Sequence, residues 1–523
     1  MTQPLPIDGD SLTLADVAAV ARGGRPVALA AAARTRMEAS RAVVERIAND
    51  PAAQVYGVNT GFGSLKHHAI GRRDLERLQR HLLLSHSAGV GDPLPIEVVR
   101  ATMLLRANAL AKGASGVRPA VVETLLAMLN RGVHPYVPAQ GSVGASGDLA
   151  PLSHLALTLS RPPNGEPDPP ELSGETIDAQ GRRRPAKETM AEAGIERLLL
   201  GAKEGLALNN GVQVSAALAA LAVLDGERLA NVADLACAMT LEAVRGAPDA
   251  FLPAVHRLRP FAGQGRSAAN ILRHLAGSSL AGSDAERVQD GYSLRCAPQV
   301  HGAARDALAN ARCTLTIEIN SATDNPLIFA DGKRAAVSAG QFHGEPVALA
   351  CDALKVALAE LSAISERRIF RLLTKALSFG LPPLLAPAAR PGLGLMMVQF
   401  TAAGLAVENK HVAHPSSVDN IPTCEDQEDH VSMSPLAARG ARRIAQNTTY
   451  VLAAELFCAA YALALRQEQS PATLGAGTGR AFAICQPALD RYCADETPAD
   501  CLEELAAKIH GGAFDSAAGE ADA

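Results

Sequence analysis

Three neighbouring residues, Ala145, Ser146 and Gly147, are of the types that would let the backbone itself do chemistry. They lie in the segment GSVGASGDLAPL, residues 141–152. Such small residues allow a tight loop in which one backbone nitrogen reaches a carbonyl two residues back. Attack of the Gly147 nitrogen on the Ala145 carbonyl, with loss of one water there and one from Ser146, would give a five-membered imidazolinone bearing an exocyclic methylidene. None of the twenty side chains is a comparable electrophile.

The same segment has simpler interpretations. Gly-Ala-Ser-Gly is often only a turn. GxxGxxG faintly resembles a phosphate loop, but no GK[ST] follows it and no strand-like run precedes it. Ser146 is a poor candidate for a hydrolase nucleophile because ASG is not GxSxG on a strand-to-helix elbow. Asp148 directly follows the tripeptide, and its carboxylate could assist the two dehydrations.

Other residues could act on a small charged substrate. Tyr56 is the single phenol of the glycine-rich segment YGVNTGFG, residues 56–63. It is either a partly buried anchor of a turn or, if its surroundings lower its pKa, a strong base, and the loop could also act as a lid. The planar guanidinium of Arg295 could grip a carboxylate with two hydrogen bonds, or form a structural ion pair. Asn210 and Asn325 lie in ordinary turn sequences, yet their amides could hold an amine or a carboxylate.

Helices must position these residues. The 523-residue chain is 48% hydrophobic but only 3% aromatic, and it has no Trp, so Ala, Leu and Val must fill the core, which favours closely packed helices. The patterns predict a mainly α fold built on long antiparallel helices. The predicted helices span 12–21, 31–47, 74–87, 95–111, 119–130, 210–228, 303–318, 346–377, 396–409 and 436–466. The Pro- and Gly-rich stretch 161–186 is expected on the surface with a small hairpin, and GAGTG at 475–479 as a linker between two helices.

Charge and cysteine patterns narrow the class of protein. The net charge is −5, without a basic stripe for nucleic acid or anionic lipid. Nine scattered cysteines without a CxxC pair suggest reduced thiols in a cytoplasmic protein. We expect no signal peptide and no membrane span. The histidine pairs at 67/68, 81/86 and 411/414 lack a convincing ligand set, so no metal is expected.

These blocks together resemble the ammonia-lyases that make 4-methylidene-imidazol-5-one (MIO) from their own backbone. The match runs from about Leu12 to Arg466. The resemblance implies that Ala145, Ser146 and Gly147 form MIO autocatalytically, without metal or nucleotide, and that Tyr56 removes the β-proton. It places Tyr292, in QDGYSLRC, beside the electrophile and gives Arg295 the substrate carboxylate. It puts Asn210 and Asn325 in the pocket, and Phe342, in the block resembling GNFHG, near the electrophile.

Two further blocks concern the substrate. Ser85-His86 resembles the histidine-specific branch of this family, whereas tyrosine lyases tend to have His-Leu and phenylalanine lyases Phe-Leu. QEDHVSM, residues 427–433, also matches that branch and contributes Gln427 and Glu428. An imidazole needs hydrogen-bond partners on both ring nitrogens, which Glu428 and His86 could provide, while a phenyl ring would leave those groups unpaired.

The resemblance implies an aspartase/fumarase-like fold with a MIO-bearing domain at 1–200 and a long-helix bundle at 201–523. It also implies a homotetramer whose active sites draw residues from three chains, and release of ammonia and trans-urocanate from L-histidine, the first step of histidine degradation. Several positions depart from the histidine-specific pattern, namely Val212, Ala297, Gln341 and Gly392-Leu393. A tyrosine or phenylalanine lyase, an aminomutase and a non-enzymatic helical assembly protein remain alternatives.

Overall fold

The structure, a computed structural model, describes residues 3–50, 52–60, 70, 74–332, 334–387, 392 and 394–518. Helices dominate the described residues, as the Ala- and Leu-rich periodicity predicts. They are α1 Leu14–Ala21, α2 Ala31–Asn49, α3 Leu75–His86, α4 Ile96–Ala111, α5 Pro119–Arg131, α6 Leu149–Leu159, α7 Ala186–Glu192, α8 Glu204–Asn209, α9 Gln213–Ala243, α10 Pro253–Arg257, α11 Ala262–Leu275, α12 Tyr292–Arg295, α13 Ala297–Glu318, α14 Glu345–Leu373, α15 Met396–Val412, α16 Ser434–Gln469, α17 Ala476–Cys493, α18 Pro498–His510 and α19 Asp515–Ala518.

The described strands are short and pair only in twos. They are β1 Leu5–Ile7, β2 Val27–Leu29, β3 Val90–Pro93, β4 Pro138–Gln140, β5 Ser160–Arg161, β6 Glu175–Ile177, β7 Arg183–Pro185, β8 Leu198–Leu199, β9 Leu327–Ile328 and β10 Ala336–Val337. β1 pairs with β2 and β5 with β8 in parallel, whereas β3–β4, β6–β7 and β9–β10 are antiparallel. The β6–β7 hairpin confirms the turn predicted in the 161–186 stretch.

The chain folds into two compact units. Unit 1 comprises Met1–Leu221, Arg312–Cys351 and Pro415–Arg439, and unit 2 comprises Ala222–Ala311, Asp352–His414 and Gly440–Ala523. The sequence-based division at residue 200 treats the chain as two consecutive parts, whereas each of these units is assembled from three separate segments.

The core of unit 1 is built around α4. This helix packs against α1, α2 and α5, while α6 packs against α3 and α8. Fourteen consecutive residues of α4, from Val98 to Ala111, are buried, and they include polar side chains such as Arg106 and Asn108. A helix buried on all sides has to satisfy such groups internally. The polar residues of α4 are therefore available to fix the loops that end beside it.

In unit 2, α17 packs against α11 and α18, and a buried ion pair joins Arg368 to Glu455. The predicted linker at 475–479 is wrong in part, because α17 begins at Ala476 and contains four of those five residues. A Cβ at Gly477 would lie 2.4 Å from His274 Nδ1. These glycines therefore allow α17 to approach α11 closely, which local sequence patterns do not reveal.

One described helix, α16, is long and apolar enough to cross a membrane by length and composition alone. Its most apolar window is 83% buried within the protein. Such burial is typical of a core helix of a globular protein, so α16 alone is weak evidence for a membrane span.

Candidate active site

The tripeptide 145–147 lies in a loop of unit 1 that packs directly against another loop. Gly147 has φ +75°, and a Cβ there would lie 2.2 Å from the Gly211 carbonyl oxygen. The two residues form a parallel bridge, and the Asp148 N–H donates to the Gly211 carbonyl at 2.7 Å. The left-handed φ and the contact both require glycine. A tight turn of small residues is compatible with closure of the Gly147 nitrogen on the Ala145 carbonyl, so the residues fit the formation of MIO.

Two side chains hold Ser146. Its hydroxyl donates to Glu428 Oε1 at 2.8 Å, and its carbonyl accepts from Asn210 Nδ2 at 2.7 Å. Thr423 Oγ1 donates to Glu428 Oε2 at 2.8 Å. Glu428 therefore contacts the hydroxyl that would leave as water in formation of a methylidene. Sequence reasoning placed Glu428 among the catalytic residues and beside the substrate ring, but it did not predict this contact with Ser146.

A tight turn orients Glu428. Thr423 and Glu428 form an antiparallel bridge, and the three residues that follow Thr423, namely Cys424, Glu425 and Asp426, have φ values of +53°, +54° and +60°. Non-glycine residues rarely adopt this left-handed region. Three in succession are typical of backbone strain at a functional site.

Asp148 is fully buried, and its carboxylate contacts helix α9. Oδ2 accepts from the Ser215 N–H at 2.8 Å, and Oδ1 accepts from the Ser215 hydroxyl at 2.8 Å. Burial raises the pKa of Asp148 to about 6, against the lowering effect of the Ser215 hydrogen bonds. A chain of hydrogen bonds extends from the Ser215 hydroxyl to the Ser434 hydroxyl at 3.1 Å and from there to the Ser432 hydroxyl at 3.2 Å. The Ser432 hydroxyl donates to the Gly144 carbonyl. Sequence reasoning missed this hydroxyl chain, although Ser432 lies in the QEDHVSM block.

Hydrogen bonds from Arg106 fix the backbone of Asn210. Buried Arg106 donates through Nη1 to the Asn210 carbonyl and to Gln213 Oε1, both at 2.8 Å. Gln213 Nε2 in turn donates to Thr323 Oγ1 at 2.7 Å. Burial lowers the pKa of Arg106 to about 10, so the guanidinium stays charged at neutral pH. Charged donors make strong hydrogen bonds in a dry interior, and these bonds hold the Asn210 backbone in place beside Ser146.

His86 ends helix α3. Its Nδ1 lies 2.9 Å from the Leu82 carbonyl and 3.0 Å from Ser85 Oγ. A carbonyl only accepts, so this hydrogen-bond network assigns the proton of the neutral ring to Nδ1 and leaves Nε2 as an acceptor. Burial lowers the pKa of His86, although the Leu82 carbonyl and the charge of Glu428 oppose that shift. His86 is therefore a neutral acceptor at neutral pH, and Ser85 beside it is exposed.

Tyr56 is half-buried in a turn of unit 1. A Cβ at the next residue, Gly57, would lie 2.5 Å from Leu206 Cδ2 and 3.1 Å from Pro326 Cδ. Leu206 belongs to the helix that leads to Asn210, and Pro326 follows Asn325, so the Tyr56 turn packs between the two segments that carry these asparagines. The remaining residues of its motif, 61–63, lie outside the described residues.

The remaining predicted site residues of unit 1 are Asn325, Phe342 and Gln427. Asn325 is buried, and its Oδ1 accepts from the Ala339 N–H at 2.8 Å, which fixes the chain leading to Phe342. Phe342 is half-buried just before α14, and Gln427 is exposed in the turn before Glu428. Among the predicted residues of unit 1, direct hydrogen bonds thus join Ser146 to Asn210 and to Glu428.

Tyr292 and Arg295 belong to unit 2, on the single turn α12. The Arg295 guanidinium lies 4.7 Å from the centre of the Tyr292 ring, and its Nε donates to the Asp290 carbonyl at 2.8 Å. The Tyr292 side chain is 70% exposed. With one donor on the backbone, the outer nitrogens of Arg295 remain suited to a carboxylate.

Known proteins share both the sequence and the fold. The model of the aromatic amino acid lyase family matches residues 12–486. A histidine ammonia-lyase from Gloeobacter violaceus is 51% identical over 507 residues, which are 97% of this chain and 95% of that protein. The crystal structure of histidine ammonia-lyase from Trypanosoma cruzi is 38% identical, with a TM-score of 0.88 over 99% of this chain and 95% of that one. Tyrosine aminomutase from Streptomyces globisporus is 35% identical, with a TM-score of 0.88 over 98% of each chain. This chain belongs to the aromatic amino acid lyase family.

Proposed function

We propose that this protein is a histidine ammonia-lyase that converts L-histidine to trans-urocanate and ammonia. The observation that carries the proposal is the pair of hydrogen bonds that joins Ser146 to Glu428 and to Asn210. Ser146 lies in the loop whose next residue, Gly147, packs against Gly211. The names of the relatives at about half identity support the substrate. In this proposal the enzyme is cytoplasmic and catalyses the first step of histidine degradation.

The prosthetic group is MIO, formed from Ala145, Ser146 and Gly147. When present, it supplies an electrophilic carbon that makes the α-amino group of the substrate a better leaving group. The close Gly147–Gly211 approach supports its formation, because the bridge and the left-handed φ hold the Gly147 backbone in a tight turn. Asp148 supports the loop by fixing it to α9 through Ser215.

The chain's own side chains then bind and orient the substrate. Nε2 of His86 accepts an N–H from the substrate imidazole, and Glu428 accepts the other and favours the protonated ring. Tyr56 removes the β-proton, and Asn210, Asn325, Phe342, Ser85 and Gln427 line the pocket. Arg295 binds the carboxylate and Tyr292 lies beside the electrophile, within active sites that draw residues from three chains of a homotetramer.

Exposed apolar residues support the assembly. Met397, Phe400 and Val407 of α15 are all exposed in the isolated chain. They follow one another at spacings of three and seven residues, which places them on one face of the helix. Such an apolar stripe is typical of a protein–protein interface. For the proposed homotetramer, light scattering of the purified protein should give four times the chain mass, and a monomer would contradict the assembly.

The experiment that tests the function offers L-histidine, L-tyrosine and L-phenylalanine separately and follows the ultraviolet absorbance of each conjugated acid. We expect turnover of histidine alone. Preferred turnover of tyrosine or phenylalanine would refute the proposed substrate. His86→Phe should abolish histidine turnover because it removes the acceptor, and unchanged turnover in this variant would contradict the pocket assignment.

The second candidate is a tyrosine or phenylalanine lyase or an aminomutase. Ala297 favours it, because tyrosine lyases resemble this chain at that position, and the fold is shared with a tyrosine aminomutase. An aminomutase would move the amine from the α to the β carbon. Chromatography for β-amino acids in the same incubations distinguishes it from a lyase.

A further inference from the structure

Two histidines and a glutamate meet in unit 1. His343, Glu345 and His430 each offer one ligand atom, and these atoms all lie within 4.8 Å of one another. The two imidazole rings are nearly parallel, with centroids 5.6 Å apart and an interplanar angle of 9°. His343 Nε2 lies 3.3 Å from the His430 carbonyl. The sequence did not reveal this cluster, because His430 lies far along the chain from the other two residues.

Close backbone packing brings the three together. A Cβ at Gly344, between His343 and Glu345, would lie 2.3 Å from Ser434 Oγ, so this turn packs directly on the start of α16. Asn420 holds the approach to the same helix, since its Oδ1 accepts from the Val431 N–H and its Nδ2 donates to the Asp429 carbonyl, both at 2.9 Å. His430 is thus fixed on both sides, opposite the His343–Glu345 turn.

One oxygen of the cluster has no hydrogen-bond partner among the described residues. Glu345 Oε2 is buried and accepts no hydrogen bond from that part of the chain. A buried carboxylate oxygen without a partner is costly, and in native proteins such a group commonly faces an ion or a water. The two histidines of the cluster each offer one ring nitrogen as a ligand atom for a cation.

The spacing also fits an ion. Zn²⁺ binds imidazole nitrogen at about 2.0–2.1 Å and carboxylate oxygen at about 2.0–2.2 Å, which separates neighbouring ligand atoms by about 3.3–3.5 Å in a tetrahedral site. The three ligand atoms, which lie within 4.8 Å of one another, would have to approach to that distance around an ion. If Nε2 of His343 donates to the His430 carbonyl, Nδ1 keeps its lone pair, and ligating histidines commonly donate their other ring N–H in this way.

We propose that His343, Glu345 and His430 bind one divalent transition-metal ion of the Zn²⁺ class. Two imidazoles and one carboxylate form a donor set typical of such ions, with a fourth position left for water. The ion connects the turn before α14 to the segment 428–430 and so fixes the backbone that carries Glu428. The ion has a structural role, because it links two segments of unit 1 and takes no part in the proposed elimination reaction.

The test uses the full-length enzyme, stripped of metal with a chelator and titrated with Zn²⁺ by calorimetry in the absence of amino acids. We expect one saturable equivalent per chain and a higher melting temperature after loading. His430→Ala, His343→Ala and Glu345→Gln should each weaken Zn²⁺ binding at least tenfold. Exposed His81, on α3, provides the matched control, and His81→Ala should bind Zn²⁺ as the wild type does.

A second readout keeps the test independent of stability. Co²⁺ loaded in place of Zn²⁺ should give the intense visible absorption of a four-coordinate site, and this band should be absent from the Glu345→Gln protein. Zn²⁺ uptake that is non-saturable, or equal in the wild type and in the variant lacking all three side chains, would overturn the proposal. Because neither readout involves turnover, failure here is distinguishable from failure of the proposed lyase function.

Discussion

Gly147→Ala tests whether the loop geometry makes the electrophile possible. The added Cβ would lie 2.2 Å from the oxygen, 2.5 Å from the carbon and 2.9 Å from the nitrogen of Gly211. All three are backbone atoms, so no flexible side chain can move aside. Gly211 cannot retreat freely either, because its carbonyl accepts the Asp148 N–H at 2.7 Å and the preceding carbonyl, that of Asn210, is bound by Arg106.

The loss of folding stability expected for Gly147→Ala has two parts. A non-glycine residue in the left-handed region costs roughly 1–2 kcal/mol. Overpacking against a rigid neighbour costs about 1–3 kcal/mol more. The sum is about 2–5 kcal/mol, and relief of the overlap must part the two loops and so disturb the tight turn in which the Gly147 nitrogen would attack the Ala145 carbonyl. We therefore expect the variant to remain largely uncyclised.

Gly181→Ala is the matched control. Gly181 has φ +77°, almost that of Gly147, but an added Cβ meets no described atom within 4 Å. Gly181→Ala therefore places a non-glycine residue in the left-handed region, at the same cost in stability, but its Cβ does not overlap with any described atom. Intact-mass spectrometry measures ring formation, since a mature chain is two waters lighter than its sequence mass. Full maturation of Gly147→Ala, with thermal stability equal to that of Gly181→Ala, would refute the argument from close packing.

Three further predictions concern the residues around this loop. Glu428→Gln should slow ring formation about 10²-fold, the lower range for general acid–base catalysis, because an amide can accept the Ser146 hydroxyl but cannot take up a proton; a wild-type time course of mass loss would contradict this. Asn210→Ala should raise the fraction of uncyclised chain by removing the bond to the Ser146 carbonyl, and a mass spectrum like that of the wild type would count against it. For Asp148, the folded pKa of about 6 lies above the ordinary 3.8, so the native state binds the extra proton and stability should fall as pH rises between these values. The free energy of unfolding of Asp148→Asn should not depend on pH in this way. Measured by urea unfolding, it should rise relative to that of the wild type by about 1–3 kcal/mol from pH 4 to 6.5. If the two free energies changed in parallel with pH, Asp148 would not hold a buried proton.

The helices were predictable because their signals are local. Amphipathic spacing predicted α2 from Ala31 and α5 from Pro119, and both helices begin there. The end of α9 was not predictable, since the charged residues near Arg228 suggest a stop, yet the helix continues to Ala243. Just before Arg228, a Cβ at Gly226 would lie 2.6 Å from Leu308 Cδ2, so close packing against α13 favours a residue of low helix propensity there.

The site was predictable as a set of residues and not as a set of contacts. The blocks identified Ser146, Asn210 and Glu428, but the bond from Ser146 to Glu428 joins residues 282 positions apart. Nor could composition place Arg106 or Lys203 in the interior, because such side chains are usually exposed. Both are fully buried, and Lys203 pairs there with Asp324 at 2.5 Å. Interior charges of this kind are determined by partners brought together by the fold, which no local pattern encodes.

The turn that carries Glu428 shows why such contacts matter energetically. Three consecutive left-handed residues, 424–426, cost roughly 1–2 kcal/mol each, and a turn with so unfavourable a backbone would relax if its ends were free. Its ends are fixed by the Thr423–Glu428 bridge and, further along, by the Asn420 bonds to the segment 429–431. Thr423 contributes twice, because its hydroxyl also binds the carboxylate of Glu428. The strain is therefore retained by contacts that at the same time point Glu428 at the Ser146 hydroxyl, and relaxing the turn would release both together.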